Sequence, residues 1–178
     1  IVESPSKVKK IQSFLNSDYK VSSSKGHIRN INPKGLCIDV ENDFKPEYIV
    51  TPDKIAVVSQ LKHFIKKDTI VWLAADYDRE GEAIAWHLNE VLKIKKENRR
   101  RIVFTEITKK AILKAIEKPT DIDMNMFYSQ QARMILDKLI GYRVSPVLWN
   151  QFNNFKLSAG RVQSVVVKIV AEREQEIS

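Results

Sequence analysis

Residues 69–82 read TIVWLAADYDREGE, and the fold turns on how this stretch is read. Thr69 to Ala75 is a continuous apolar, β-branched and aromatic run, as expected of a strand buried on both faces. It passes without a linker into Asp76, Asp78, Glu80 and Glu82. In an open α/β sheet, ligands gather at the carboxyl ends of the strands, where loops leave the sheet. Asp76 and Asp78 are two apart, so an extended backbone points both to one side, and Glu80 joins them from the helix start. Carboxylate oxygens gathered without His or Cys suit a hard cation, Mg²⁺ far better than Zn²⁺. Such an ion would organise a phosphodiester and neutralise charge developing on it. The plainer reading is an acidic helix N-terminus favoured by the macrodipole. That accounts for Glu80 and Glu82, but not for two aspartates directly after a buried strand.

Outward from this stretch, strands and helices alternate. Ile1-Val2 reads as the end of a strand, with Ser4 as N-cap and Pro5 at the first helical position. Val8, Ile11 and Leu15 follow on one helical face. Tyr19 to Ser23 reads as a second strand, and Leu36 to Val50 as two weak strands around an Asn42-Asp43 turn. Asp53 is expected to cap a helix that buries Ile55, Val58, Leu61 and Ile65. After the acidic loop, a helix turns Ile84, Leu88, Val91 and Leu92 inward. Arg101 to Phe104 reads as a further strand, and Thr108 caps a helix presenting Ala111, Ile112, Ala115 and Ile116. The alternation implies a mostly parallel sheet covered on both faces. Glu3, at a second strand end, can then share an edge with Asp76, and Lys7 can face phosphate from the first helix.

Beyond Lys118-Pro119 the strand signal disappears. One helix is expected from Met124 to Ile140, ended by Gly141, then a short segment around Pro146 to Trp149. A long helix from about Ala159 carries Val162, Val165, Val166, Ile169 and Val170. It reaches Ser178 without a cap, as expected of a piece of a larger domain, and its apolar stripe would favour self-association if left uncovered.

The 178 residues, 43% hydrophobic, suffice for a substantial core, which argues against wholesale disorder. The single cysteine, Cys37, excludes an internal disulfide and any multi-cysteine zinc cluster, and points to a reducing compartment. No run approaches the ~20 apolar residues needed to span a bilayer. The opening IVESP is too polar for a signal peptide and lacks an initiator Met, which reads as a trimmed, soluble, intracellular chain. The 30 Lys and Arg outnumber 22 Asp and Glu, for a net charge of +8. That surplus favours a polyanion such as nucleic acid, or else a merely basic surface. The densest run, Lys93 to Arg101 (KIKKENRRR), reads as a solvated connection.

With these elements placed, IVESPSK followed by a strand ending in DYDREGE resembles the toprim domain of type IA DNA topoisomerases. The likeness continues through KGHIRN, AIAWHL, FTEIT, QQAR, GYRVSP and LSAGRVQS, in order along essentially the whole chain. VESP with GRVQ is more similar to the topoisomerase I branch than to topoisomerase III. The resemblance implies an α/β, Rossmann-like toprim domain over 1–120 and the start of a helical DNA-binding gate domain over 121–178, with 31–52 free to pack with the second. It implies Mg²⁺ at Glu3, Asp76, Asp78 and Glu80, and Glu3 handling the proton of the leaving 3′-oxygen. Lys7 and Arg79 would steady the scissile phosphate and His27 would contact DNA. Ser158, Gly160, Arg161, Val162 and Gln163 would bind a single-stranded segment of negatively supercoiled DNA.

The family's nucleophile is a tyrosine within a YxRTDS-like motif. None of Tyr19, Tyr48, Tyr77, Tyr128 and Tyr142 sits in one, so the nucleophile is expected downstream of Ser178 and this chain alone is expected not to relax DNA. The resemblance further implies a parent that is monomeric, uses no nucleotide, touches no membrane and, if bacterial, is cytoplasmic and nucleoid-associated. Alternatives are the topoisomerase half of a reverse gyrase, another toprim enzyme such as a primase or nuclease, or a non-catalytic nucleic-acid-binding module.

Overall fold

A computed structural model describes residues 1–177, which divide into two compact units. The first comprises residues 1–30 and 48–131, the second 31–47 and the described residues from 132 onward.

The first unit is α/β. Helix α1 (Pro5–Gln12) starts at Ser4, whose hydroxyl accepts from the Ser6 N–H, with Pro5 at its first position. Strand β1 (Arg29–Ile31) pairs with β4 (Tyr48–Val50). After a short 3₁₀ turn (Pro52–Lys54) come α2 (Ile55–Phe64), β5 (Val71–Leu73) and α3 (Arg79–Leu92). Strand β6 (Arg99–Arg101) and α4 (Lys109–Glu117) complete the alternation. β5 pairs with β6 in parallel, and Val2 bridges in parallel to Ala74 on one side and Ser23 on the other. The order Ser23, Val2, β5, β6 is therefore one parallel layer with the Ile1–Val2 segment inside it.

Strand alternation sorts the core onto two faces. Val71, Leu73 and Ala75 pack with Val57, Val58, Leu61, Ile84, Leu88 and Leu92 on one side. Trp72, Ala74 and Val2 pack with Ile11, Ile102, Ile112 and Ala115 on the other. Each fully buried Val, Leu or Ile contributes about 1.5–3 kcal/mol, so this two-sided packing makes the β5 platform rigid.

Four sequence expectations in this unit are corrected. Asp53 caps no helix; it lies inside the 3₁₀ turn, where its carboxylate meets Lys54. Ile55 is 59% exposed, and Val57 takes the inward position instead. The sixth strand is Arg99–Arg101, not 101–104. Consequently the end of KIKKENRRR is no solvated connection: Arg101 is fully buried. Its charge is tolerated because every donor of the guanidinium finds an acceptor, as described below.

In the second unit β2 (Ile38–Asp39) and β3 (Lys45–Pro46) form the small antiparallel pair around the Asn42-Asp43 turn. Helix α5 (Met124–Phe152), which begins in the first unit, continues through Gly141 and Pro146, where an end at Ile140 and a separate short segment were expected. A helical glycine costs only about 1 kcal/mol, and the returning chain holds this half of the helix. Ser145 Oγ accepts from the Ala159 N–H and Trp149 Nε1 donates to the Leu157 carbonyl. At Gly141 a Cβ would lie 3.5 Å from the Ala159 carbonyl oxygen, so the return passes close to this position. Helix α6 is Arg161–Ile177. Among the described residues no helix is long and apolar enough to cross a membrane.

Candidate functional site

The acidic residues sit where the parallel layer ends. β5 delivers Asp76 half-buried at its carboxyl end, and the neighbouring Ile1–Val2 segment delivers Glu3. The Glu3 carbonyl is fixed by the Ser23 hydroxyl at 2.8 Å and the Gly26 N–H at 3.0 Å. Its carboxyl is pushed above the ordinary carboxylate range by burial, then by the charge on Asp76, with Lys7 opposing and Asp78 adding to the rise. Glu3, Asp76, Asp78 and Lys7 thus share one electrostatic neighbourhood. Lys7, one turn into α1, donates from Nζ to Asp76 Oδ1.

Asp78 has a second duty. It is the N-cap of α3, its Oδ1 accepting from the Gly81 N–H at 2.7 Å. The helix-terminus reading therefore applies to Asp78 as well, leaving its other oxygen for a ligand. Glu80 is drawn to different partners: its Oε2 lies 3.1 Å from His27 Nε2 and 3.3 Å from Gln130 Nε2. Arg79 is exposed at the first position of α3. Among the described residues no three or more His, Cys, Asp and Glu side chains form a ready-made metal cage. The donor set still fits Mg²⁺, which keeps several waters and is commonly held through one or two carboxylates and substrate phosphate. Mutual repulsion of Glu3, Asp76 and Asp78 is what a divalent cation would relieve.

Sequence reasoning missed the residue underneath. Arg101, fully buried on β6, donates from Nη1 to the carbonyls of Ala75 at 2.7 Å, Ile102 at 2.7 Å and Leu73 at 3.2 Å. Its Nη2 donates to the Asp76 carbonyl at 2.9 Å, and its Nε to Glu82 Oε1 at 2.8 Å. Glu82, itself buried, accepts from the Asp123 N–H at its other oxygen. The pair clamps the peptide that carries Asp76. Gly81 completes the clamp, since a Cβ there would lie 2.0 Å from the Asp76 carbonyl oxygen. The DREGE spacing carried a signal for Gly81; nothing local marked the last of three consecutive arginines as buried.

The other predicted binding residues belong to the second unit. Ser158 Oγ donates to Gln163 Oε1 at 3.2 Å, and Gly160 leaves room for the Gln163 side chain. Arg161 donates from Nε to Asp137 Oδ1 at 2.9 Å, and Val162 is exposed. Asp137 was not singled out in the sequence, although it is the acceptor that orients this guanidinium.

Comparison with known proteins agrees along the chain. Residues 1–107 match the Toprim domain family and residues 121–178 match the DNA topoisomerase family. A solved structure of full-length topoisomerase I from Thermotoga maritima superposes with a TM-score of 0.85 and 48% sequence identity, over 99% of this chain and 30% of that one. The chain therefore spans about a third of the length of that relative.

Proposed function

Since this chain belongs to the toprim-containing type IA DNA topoisomerases, we propose that it supplies the acidic half of a DNA cleavage and religation centre. The protein it serves relaxes negatively supercoiled DNA by ATP-independent transesterification. The observation that carries this reading is the convergence of Glu3, Asp76, Asp78 and Lys7 at one end of the parallel layer.

Each residue has a task that its surroundings support. Asp76, with Glu3 and the free oxygen of Asp78, would hold Mg²⁺, whose chemistry when bound is to neutralise charge on the phosphodiester. Glu3 is suited to hold a proton, since burial and its acidic neighbours favour its neutral form. In cleavage it gives that proton to the departing 3′-oxygen, and in religation it takes it back. Lys7, now paired with Asp76, is placed to turn toward phosphate, and Arg79 stands exposed at the start of α3. Glu80 and His27 form a pair whose ring offers a DNA contact. In the second unit Ser158 to Gln163 open α6, where backbone N–H groups and Arg161 suit a single-stranded DNA phosphate.

The domain reading follows the same lines: a toprim domain over 1–120 and the beginning of a gate domain over 121–178, with 31–47 of the 31–52 segment grouped with the latter and 48–52 with the former. The attacking tyrosine forms a 5′-phosphotyrosine, and the bond energy kept there makes a nucleotide unnecessary. Tyr77, the tyrosine nearest the acidic loop in sequence, is 61% exposed and lies in no YxRTDS-like setting. The nucleophile is therefore assigned to a segment other than these residues. A monomeric parent acting in the cytoplasm on nucleoid DNA completes the reading.

The test is incubation of this chain with supercoiled plasmid and Mg²⁺. The expected result is an unchanged topoisomer distribution; robust relaxation would mean that a tyrosine of this chain is the nucleophile.

A further inference from the structure

Glu80 stands at the second position of α3, yet its carboxylate is engaged by two residues far along the chain, His27 and Gln130, both within the first unit. His27 reaches it from a loop whose backbone is fixed on either side of the ring. The Gly26 N–H donates to the Glu3 carbonyl at 3.0 Å, and the carbonyl of fully buried Ile28 accepts from the Thr51 N–H at 3.2 Å. Lys25 and Gly26 take the positive φ values, 56° and 86°, that turn the chain there. The backbone therefore sets where the ring is delivered, but not which way its two nitrogens face.

Gln130 reaches the same carboxylate oxygen from α5. Buried Phe127 anchors that helix, its ring stacked on Trp86 of α3 with centroids 4.1 Å apart. Gln130, three residues on, falls on the same helical face. It is 6% exposed; its Nε2 donates to Glu80 Oε2, while its Oε1 is buried with no partner among the described residues. Turning the amide over would set Oε1 against the carboxylate, acceptor against acceptor, so Glu80 fixes its orientation. A buried acceptor without a partner is costly, and an apolar side chain of the same length would fill the space without one. Packing alone does not explain a glutamine here. The Glu80 side chain is 44% exposed, so a single donor would leave it free to rotate into solvent; a second donor on an immobile amide removes that freedom.

We propose that Gln130 is a positioning residue for the DNA contact: by holding Glu80 Oε2 in place it gives the His27 ring a fixed acceptor, so that the ring presents its Nδ1 edge to a DNA strand. A neutral imidazole donates from one nitrogen and accepts at the other, so donation to Glu80 selects the Nε2–H form and leaves Nδ1 as the atom that meets the strand. This role rests on His27 contacting DNA, as proposed for the site. It assigns to Gln130 a part in the centre that is carried entirely through Glu80 and His27.

The test compares the unsubstituted chain with Gln130→Met, His27→Ala and the two substitutions together. At about pH 8.5, above the ordinary histidine range, the ¹⁵N resonances of the His27 ring are expected to report the Nε2–H form in the unsubstituted chain and a mixture of both forms in Gln130→Met. Oligothymidylate affinity, followed by fluorescence anisotropy, should fall about threefold or more in Gln130→Met and in His27→Ala, and no further in the double variant. A residue that merely supports the fold would weaken binding in both backgrounds. An unchanged ring spectrum in Gln130→Met, or a further loss of affinity on adding Gln130→Met to His27→Ala, would overturn the positioning role. Undiminished affinity in His27→Ala would instead overturn the DNA contact on which that role rests.

Discussion

Residues 1–30 with 48–131 bury the apolar faces of α1, α3 and α4 against a parallel layer, whereas residues 31–47 with 132–178 leave Val162, Val165, Val166, Ile169 and Val170 of α6 more than half exposed. Both regions carry the same sequence signal, apolar residues three and four apart. In the first, every such face meets a partner encoded within the unit. In the second, α6 has the pattern, but among the described residues nothing covers it. Amphipathic periodicity states that a face is apolar; it does not say which part of a protein covers it. The acidic cluster belongs to the region that is packed on both faces, where side-chain positions are set by close-packed neighbours.

The contrast breaks hardest at Arg101. Arg101→Met leaves the Glu82 carboxylate buried without its partner and removes the donors that hold the Leu73, Ala75 and Asp76 carbonyls. The expected loss is about 3–5 kcal/mol in urea unfolding. A loss within about 0.5 kcal/mol would show that the platform does not depend on this clamp.

A pH series sharpens the same contrast. His87 is buried among Tyr48, Trp86 and Phe127, and burial lowers its pKa from 6.5 to about 3. Above pH 6.5 it is neutral in folded and unfolded chains alike and has no effect. Below that, the unfolded chain binds a proton that the folded chain refuses. Stability should therefore fall by about 1.4 kcal/mol per pH unit from pH 6.5 toward pH 3. His87→Phe should remove this part of the slope in parallel urea titrations.

Gly81→Ala is expected to cost less, about 1–3 kcal/mol, because its methyl group meets the Asp76 carbonyl oxygen and the loop must shift. A calorimetric midpoint equal to that of the unsubstituted chain would show that the loop yields freely.

Much of this architecture was legible beforehand because its causes are local. TIVWLAADYD announces a buried strand with carboxylates at its end, Ser4-Pro5 announces a helix start, and Thr108 caps α4 with its hydroxyl on the Ala111 N–H. What escaped had distant causes. Arg101 is buried by acceptors up to 28 residues away in sequence. Helix α5 passes Gly141 and Pro146 because a returning segment holds it, against the local preference of both residues. The partners of Glu80 likewise lie far along the chain: His27, 53 positions before it, and Gln130, 50 after.

The acidic cluster itself is tested most directly by Mg²⁺ titration of the unsubstituted chain beside Asp76→Ala, followed by calorimetry or by amide chemical shifts. Saturable binding by the first, weakened on the order of tenfold or more in the second, is the predicted result. Superimposable curves would contradict the assignment of Asp76 to the metal.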